Sequence, residues 1–122
     1  MKTILLIEDD PFLVDLYTTK FKEIGFEVEV ATNGREGLRK MKVKKPDILL
    51  LDIVLPAING WEILGEMKKD EGLKDLKVVI LSNLTSKEEV ERGLKLGADK
   101  YLIKSHYTPS EVVKEIKKIL EQ

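Results

Sequence analysis

Ile48-Leu49-Leu50-Leu51-Asp52 is a run of apolar residues that stops on a carboxylate. An unbroken apolar run of this length, bounded by polar residues, fits a strand covered on both faces, the central-strand pattern of a parallel sheet. Asp52 then stands at the strand's carboxyl end. In open α/β sheets that edge borders the crevice where ligands bind, so the acid is placed where chemistry usually happens.

The segments on either side supply the rest of such a sheet. Upstream, Thr3-Ile4-Leu5-Leu6-Ile7 is a second run of strand length, and it also ends in acid, at Glu8-Asp9-Asp10. Pro11 suits a first helical turn, and Leu13, Leu16, Tyr17, Phe21 and Ile24 recur at helical spacing until Gly25. Asp10, just before that proline, reads as the N-cap. Val28 and Val30 alternate with Glu27 and Glu29, the pattern of a wetter strand at a sheet edge. Asn33-Gly34 turns the chain into a modest helix over Glu36 to Val43, which Lys44-Lys45-Pro46 breaks before the central strand.

Downstream of Asp52, Pro56 and Asn59-Gly60 set the turn chemistry of a loop. A third helix starts near Trp61, buries Ile63, Leu64 and Met67, and is expected to end at Gly72. Lys77 to Ser82 is a fourth strand. Ser86-Lys87-Glu88-Glu89 is a capping box for a helix running to Gly97, and Asp99 to Ile103 is a fifth strand ending at Lys104. Thr108-Pro109-Ser110-Glu111 is another capping box, opening a last helix through Val112, Val113, Ile116, Ile119 and Leu120. Five strand-helix repeats with short connections and right-handed crossovers predict an α/β, doubly wound open parallel sheet with helices on both faces.

At 122 residues and 13.9 kDa the chain is the size of one domain, and one domain over residues 1–122 is expected, with no output domain because the sequence ends with the fifth helix. With 43% apolar and 35% charged residues it reads as a soluble globular protein. A net charge of −1 and a pI near 5.9 provide no broad positive field, which argues against direct binding to DNA or to an anionic membrane. There is no cysteine, which excludes disulfides and thiolate sites, and the N-terminal apolar run is too short for a signal peptide. Cytoplasmic placement is expected.

Parallel strands bring Glu8, Asp9, Asp52, Ser82 and Lys104 to one edge. Two carboxylates roughly 4 Å apart repel by about 4 kcal/mol at an effective dielectric near 20, so three converging acids require a cation or partial protonation. An all-oxygen ligand set without His or Cys favours Mg²⁺ or Mn²⁺, ions that commonly pair one or two carboxylates with waters and a phosphate. A carboxylate can then act as nucleophile toward a phosphoryl group, with Lys104 neutralising the transferred oxygens and the Ser82 hydroxyl donating to another.

The residues Ile4 to Asp10, Leu50 to Glu62, Ser82 and Gly97 to Lys104 together resemble the receiver domain of bacterial two-component response regulators, the single-domain, CheY-like type. The resemblance covers the whole chain and implies a flavodoxin-like sheet of strand order 2-1-3-4-5. It implies that Asp52 takes a phosphoryl group from the phosphohistidine of a sensor histidine kinase or phosphotransfer protein. Asp9 would bind Mg²⁺ directly and Glu8 through water, with Asp52 and the Val54 backbone carbonyl completing the protein ligands. Ser82 and Tyr101 would form a switch pair: Ser82 moves toward the phosphoryl group and Tyr101 turns inward. The surface of the fourth helix, fifth strand and fifth helix would change with them, as the face for a downstream protein partner. The protein would be a monomer or a phosphorylation-dependent dimer, and a phosphoacceptor rather than an enzyme.

Four positions depart from the family pattern. Val54 and Leu84 are apolar where polar side chains can assist the attacking water, which predicts slow self-dephosphorylation. Asn83 replaces a small residue, predicting tighter access. Ser105 follows Lys104 where the family generally has a cis-bonded proline. A non-proline cis bond costs about 2.5 to 4 kcal/mol, so the loop through His106 and Tyr107 is expected to run differently, and the reach of Lys104 depends on its path.

Simpler readings stand beside these. Ser82 alone is an ordinary strand terminus, Tyr101 packs at a sheet edge, Trp61 closes the core, and His106 is a solvated loop residue. A Mg²⁺-dependent aspartyl phosphatase or phosphotransferase is the competing enzymatic reading, although the haloacid dehalogenase type wants a second acid where Val54 stands. A degenerate receiver serving as a phosphorylation-independent adaptor is the third.

Overall fold

The computed structural model describes residues 1–121. The elements alternate as β1 (Thr3–Ile7), α1 (Pro11–Glu23), β2 (Glu27–Ala31), α2 (Gly34–Val43), β3 (Ile48–Leu51), α3 (Gly60–Lys69), β4 (Lys77–Ser82), α4 (Lys87–Lys95), β5 (Lys100–Ile103) and α5 (Pro109–Leu120), with a single 3-10 turn at Lys104–His106 before α5. The five strands form one parallel sheet in the order β2-β1-β3-β4-β5. The expected architecture and strand order are both present.

The apolar runs become strands with two dry faces because successive side chains point to opposite sides. Leu5, Ile7, Leu49, Leu51, Val78 and Ile80 pack on one face with Met41 of α2 and Ile63, Leu64 and Met67 of α3. Ile4, Leu6, Ile48, Leu50, Val79 and Leu81 pack on the other with Tyr17 and Phe21 of α1 and with Val112, Val113 and Ile116 of α5. All four β3 side chains are fully buried. β2 takes an edge, and its Glu27 and Glu29 face solvent as their alternation predicts.

Caps fix where each helix begins. The Asp10 carboxylate accepts from the Phe12 N–H at 2.9 Å, and both predicted capping boxes, Ser86 with Glu89 and Thr108 with Glu111, are formed. A third box closes between Asn59 and Glu62, so the Asn-Gly pair of the turn also caps α3. Two expectations are corrected. α3 ends at Lys69 with Asp70 as its C-cap, before Gly72, and the Asp70 carboxylate accepts from the Gly72 N–H at 2.8 Å to shape the following turn. Ile24 is the C-cap of α1 and 42% exposed, so it lies outside that helix's buried stripe.

α4 is seated on the sheet through Gly93. A Cβ built there would lie 2.6 Å from Ile80 Cδ1 and 3.0 Å from the Tyr101 ring. Gly93→Ala is therefore expected to lower unfolding stability by about 1–3 kcal/mol through overpacking, although alanine favours helix, and urea denaturation checks it.

Candidate functional site

The register of β1, β3, β4 and β5 assembles the site. Ile7 of β1 stands opposite Leu51 of β3, so the next residues, Glu8 and Asp52, leave the sheet side by side. The Asp52 N–H donates to the Ile7 carbonyl at 3.1 Å and the Glu8 N–H to the Ala31 carbonyl at 3.0 Å, extending the ladder one step into the site. Leu51 also faces Ile80 of β4, and Ser82 faces Ile103 of β5, which brings Ser82 and Lys104 to the same edge.

Glu8 and Asp52 are only 2% and 7% exposed, whereas Asp9 is open to solvent. One carboxylate oxygen from each of these three acids lies within 4.8 Å of the others. The Lys104 ammonium sits between the buried pair, 2.7 Å from Glu8 Oε1 and 3.0 Å from Asp52 Oδ2. Their other oxygens are also held: Glu8 Oε2 accepts from the Asp10 N–H at 3.1 Å, and Asp52 Oδ1 from the Ile53 N–H at 2.7 Å.

The 3-10 turn at Lys104–His106 follows β5 directly and delivers this reach with Ser105 in the chain, and no cis peptide bond occurs among the described residues. The Lys104 side chain is 13% exposed, while Ser105 and His106 face solvent.

Burial pushes the Glu8 carboxyl above its ordinary value; the hydrogen bond from Lys104 opposes this and the neighbouring Asp52 charge adds to it. Burial pulls Lys104 downward, but its hydrogen bonds to Glu8 and Asp52 outweigh that and hold its pKa above the usual lysine value. The ammonium therefore stays charged. With all three acids ionised, one ammonium would leave two negative charges in excess, and two carboxylates within 4.8 Å repel by about 3–4 kcal/mol at an effective dielectric near 20. A divalent oxygen-seeking cation such as Mg²⁺ matches both the charge and the donor set.

Ser82 is fully buried, and its hydroxyl oxygen accepts from the Leu84 N–H at 3.2 Å. Tyr101 is half-buried, and its hydroxyl donates to the Leu84 carbonyl at 2.7 Å. Both switch candidates thus hold the backbone of one residue, a link invisible in sequence because it runs through main-chain atoms. The Val54 side chain is 63% exposed in the loop after β3, and Asn83 is exposed. In the sequence Tyr17 is only one of the residues at helical spacing in α1. Burial raises its hydroxyl pKa, and the charges of Lys104, Glu8 and Asp52 also act on it, so the phenol lies within the site's field. Trp61 is partly buried at the start of α3, with the Arg92 guanidinium of α4 4.5 Å from its ring centroid.

The loop leaving Asp52 is closed by the Gly60 N–H, which donates to the Ile53 carbonyl at 2.8 Å. A Cβ at Gly60 would lie 2.7 Å from the Asp52 carbonyl oxygen, so the loop's return passes close to the strand end. Within it, Ala57 has φ = 68°, a left-handed conformation that costs a residue with a Cβ about 1–2 kcal/mol. Ala57→Gly is expected to raise unfolding stability by about 0.5–1 kcal/mol, the strain relief being partly offset by the entropy of an unfolded glycine. Thermal denaturation checks it.

A doubly wound parallel sheet with three acids, a lysine and a buried hydroxyl at its carboxyl edge is the arrangement that the resemblance to receiver domains implies. The sequence matches the family model of the response regulator receiver domain over residues 4–117, and the chain belongs to that family. It is 33% identical over 123 residues to the alkaline phosphatase synthesis transcriptional regulatory protein PhoP of Bacillus subtilis, covering 99% of this chain and 49% of that protein. It is 32% identical to the DNA-binding response regulator MtrA of Mycolicibacterium smegmatis, covering 93% of this chain and 48% of that one. The chain thus spans about half the length of these curated relatives. Among solved structures, the receiver domain of the Francisella response regulator 1452 superposes with a TM-score of 0.92 at 29% identity, covering 99% of this chain and 98% of that one. A CheY-like receiver domain protein of Methanospirillum hungatei superposes at 0.90 with 30% identity, covering 99% and 94%. No helix of the described residues is long and apolar enough to cross a membrane.

Proposed function

We propose that Asp52 is the phosphoacceptor of this receiver domain and that its donor is the phosphohistidine of a sensor histidine kinase or phosphotransfer protein. The observation that carries the reading is the placement of Lys104 between Glu8 and Asp52, with Asp9 completing a group of three acids within 4.8 Å. A carboxylate oxygen of Asp52 attacks phosphorus, the P–N bond to the donor imidazole breaks, and the imidazole leaves with a proton. Lys104 supplies fixed positive charge beside the transferred oxygens, and Ser82 donates its hydroxyl to one of them after releasing the Leu84 N–H. Glu8, Asp9, Asp52 and the Val54 carbonyl would hold Mg²⁺, which when bound neutralises charge developing on the phosphoryl oxygens.

Release of Ser82 is coupled to Tyr101 through the shared Leu84 backbone. The resulting change is read on the face formed by α4, β5 and α5, by a downstream protein or by a second receiver. The module itself acts through protein contacts rather than on DNA, in the cytoplasm.

Mg²⁺ binding followed by calorimetry is the direct test of the ligand set. Asp9→Asn is expected to weaken Mg²⁺ at least about tenfold, since even outer-shell partners of a metal site are commonly worth 10–100-fold. Unchanged affinity would remove Asp9 from the site. With acetyl phosphate and Mg²⁺, a single stable adduct supports the switch; sustained multiple turnover would instead identify a phosphatase, and no adduct an adaptor.

A further inference from the structure

We propose that the outer face of α2 is a docking surface for an acidic, amphipathic segment of a partner protein, separate from the α4-β5-α5 face. Residues 35–45 hold six cations and one acid in a chain whose net charge is −1, so the remainder of the molecule is acidic. Two of the six form ion pairs at the surface: Lys40 with Glu29 and Glu36, and Lys44 with Glu27. Arg35, Arg39 and Lys42 are exposed, and among the described residues none of them has a carboxylate oxygen within 4.0 Å.

These three recur at i, i+4 and i+7 and therefore share one stripe of the helix. Like charges at that spacing destabilise a helix, so the stripe is not there for folding. α4 and α5 instead interleave signs and form the intrahelical pairs Lys87–Glu91 and Lys118–Glu115.

The stripe borders an apolar groove of about 360 Å³ lined by Arg35, Leu38, Arg39, Lys42 and Ile58. Its floor is aliphatic and its rim is cationic. That chemistry fits a peptide segment that places one aliphatic or aromatic anchor between Leu38 and Ile58 and sets carboxylates against the two guanidiniums and the ammonium. Nucleic acid fits less well, because no aromatic side chain lines the groove for a base to stack on and the acidic remainder of the chain repels a long polyanion. An anionic membrane also fits less well: the helix buries Gly37 and Met41 on its sheet side and Gly34 against Ile58, and has no broad apolar face to insert.

The test uses the ¹⁵N-labelled protein and, as probe, a short synthetic peptide with glutamates flanking a central Leu-Phe pair. Amide shifts are expected to be confined to α2 and the Ile58 segment, with affinity that falls steeply with salt. Arg35→Glu/Arg39→Glu, and separately Lys42→Glu, are expected to weaken the peptide, the double variant by at least about tenfold; replacing Leu-Phe by two alanines is expected to cost about tenfold as well. All three protein positions are exposed, so each variant can be checked for an unchanged dispersed spectrum. The proposal is overturned if the shifts fall on other faces, or if the alanine peptide binds as tightly. It is also overturned if phosphatidylserine vesicles or a DNA duplex occupy α2 in preference to the peptide, or if the α2 signals respond only to self-association of the protein.

Discussion

Acetyl phosphate and Mg²⁺ are expected to form a phosphoryl adduct on the parent chain, and Asp52→Asn is expected to eliminate it. Intact mass spectrometry should show the mass of one phosphoryl group on the parent and none on the variant. The amide removes the nucleophilic oxygen while conserving volume, and it leaves the carbonyl oxygen able to accept from Lys104 or from the Ile53 N–H, both of which contact the carboxylate here. The fold should survive. Asp52 lies within a tight group of acids, so its replacement relieves like-charge repulsion in the metal-free protein. Loss of the adduct should therefore come with unchanged or higher thermal stability. An adduct that persists at full level on the variant would place the acceptor elsewhere, with Asp9 as the next accessible acid.

The second large effect concerns lifetime. Once formed, the acyl phosphate is expected to persist on the order of hours, because hydrolysis requires a water aligned opposite the Asp52 oxygen and a positioned proton acceptor commonly contributes 10²–10⁴-fold. Val54 and Leu84, the positions from which such help would come, offer only hydrocarbon. Val54 is 63% exposed, so access of water does not set the rate there; the missing element is a polar group to orient it. Val54→Asn should shorten the lifetime by roughly tenfold, less than a full general base provides. Loss of the label within a minute from the parent in Mg²⁺ would contradict this account.

Much of the fold was legible because a parallel sheet writes a plain signal. The β1, β3 and β4 runs are apolar on both faces, the caps at Ser86 and Thr108 are chemical rather than statistical, and the strand-end acids announce the edge. The candidate site was legible to the extent that a parallel sheet gathers the carboxyl ends of β1, β3, β4 and β5 at one edge. What escaped was through-space contact. Nothing in the local pattern around Leu84 says that its N–H and carbonyl bind Ser82 and Tyr101, and nothing around Arg92 says that it covers Trp61. Ala57 in a left-handed conformation was equally hidden, since alanine carries no signature of that region. The departure at Ser105 pointed to an altered loop, but the single 3-10 turn that keeps Lys104 on both acids emerges only from the packed chain.

The α2 stripe shows the complementary case. Its charge excess is plain in the sequence, yet only the structure separates the cations tied to β2 from the three left around the Leu38–Ile58 groove. A partner recognised there would engage a surface distinct from α4, β5 and α5.

Borohydride reduction of the freshly phosphorylated protein converts an aspartyl phosphate to homoserine, and peptide sequencing by mass spectrometry then locates it. Homoserine at position 52, formed only when Mg²⁺ is present and sharply reduced in Lys104→Ala, is the result this account predicts. Homoserine at position 9, or at position 52 to the same extent with chelator present, would contradict it.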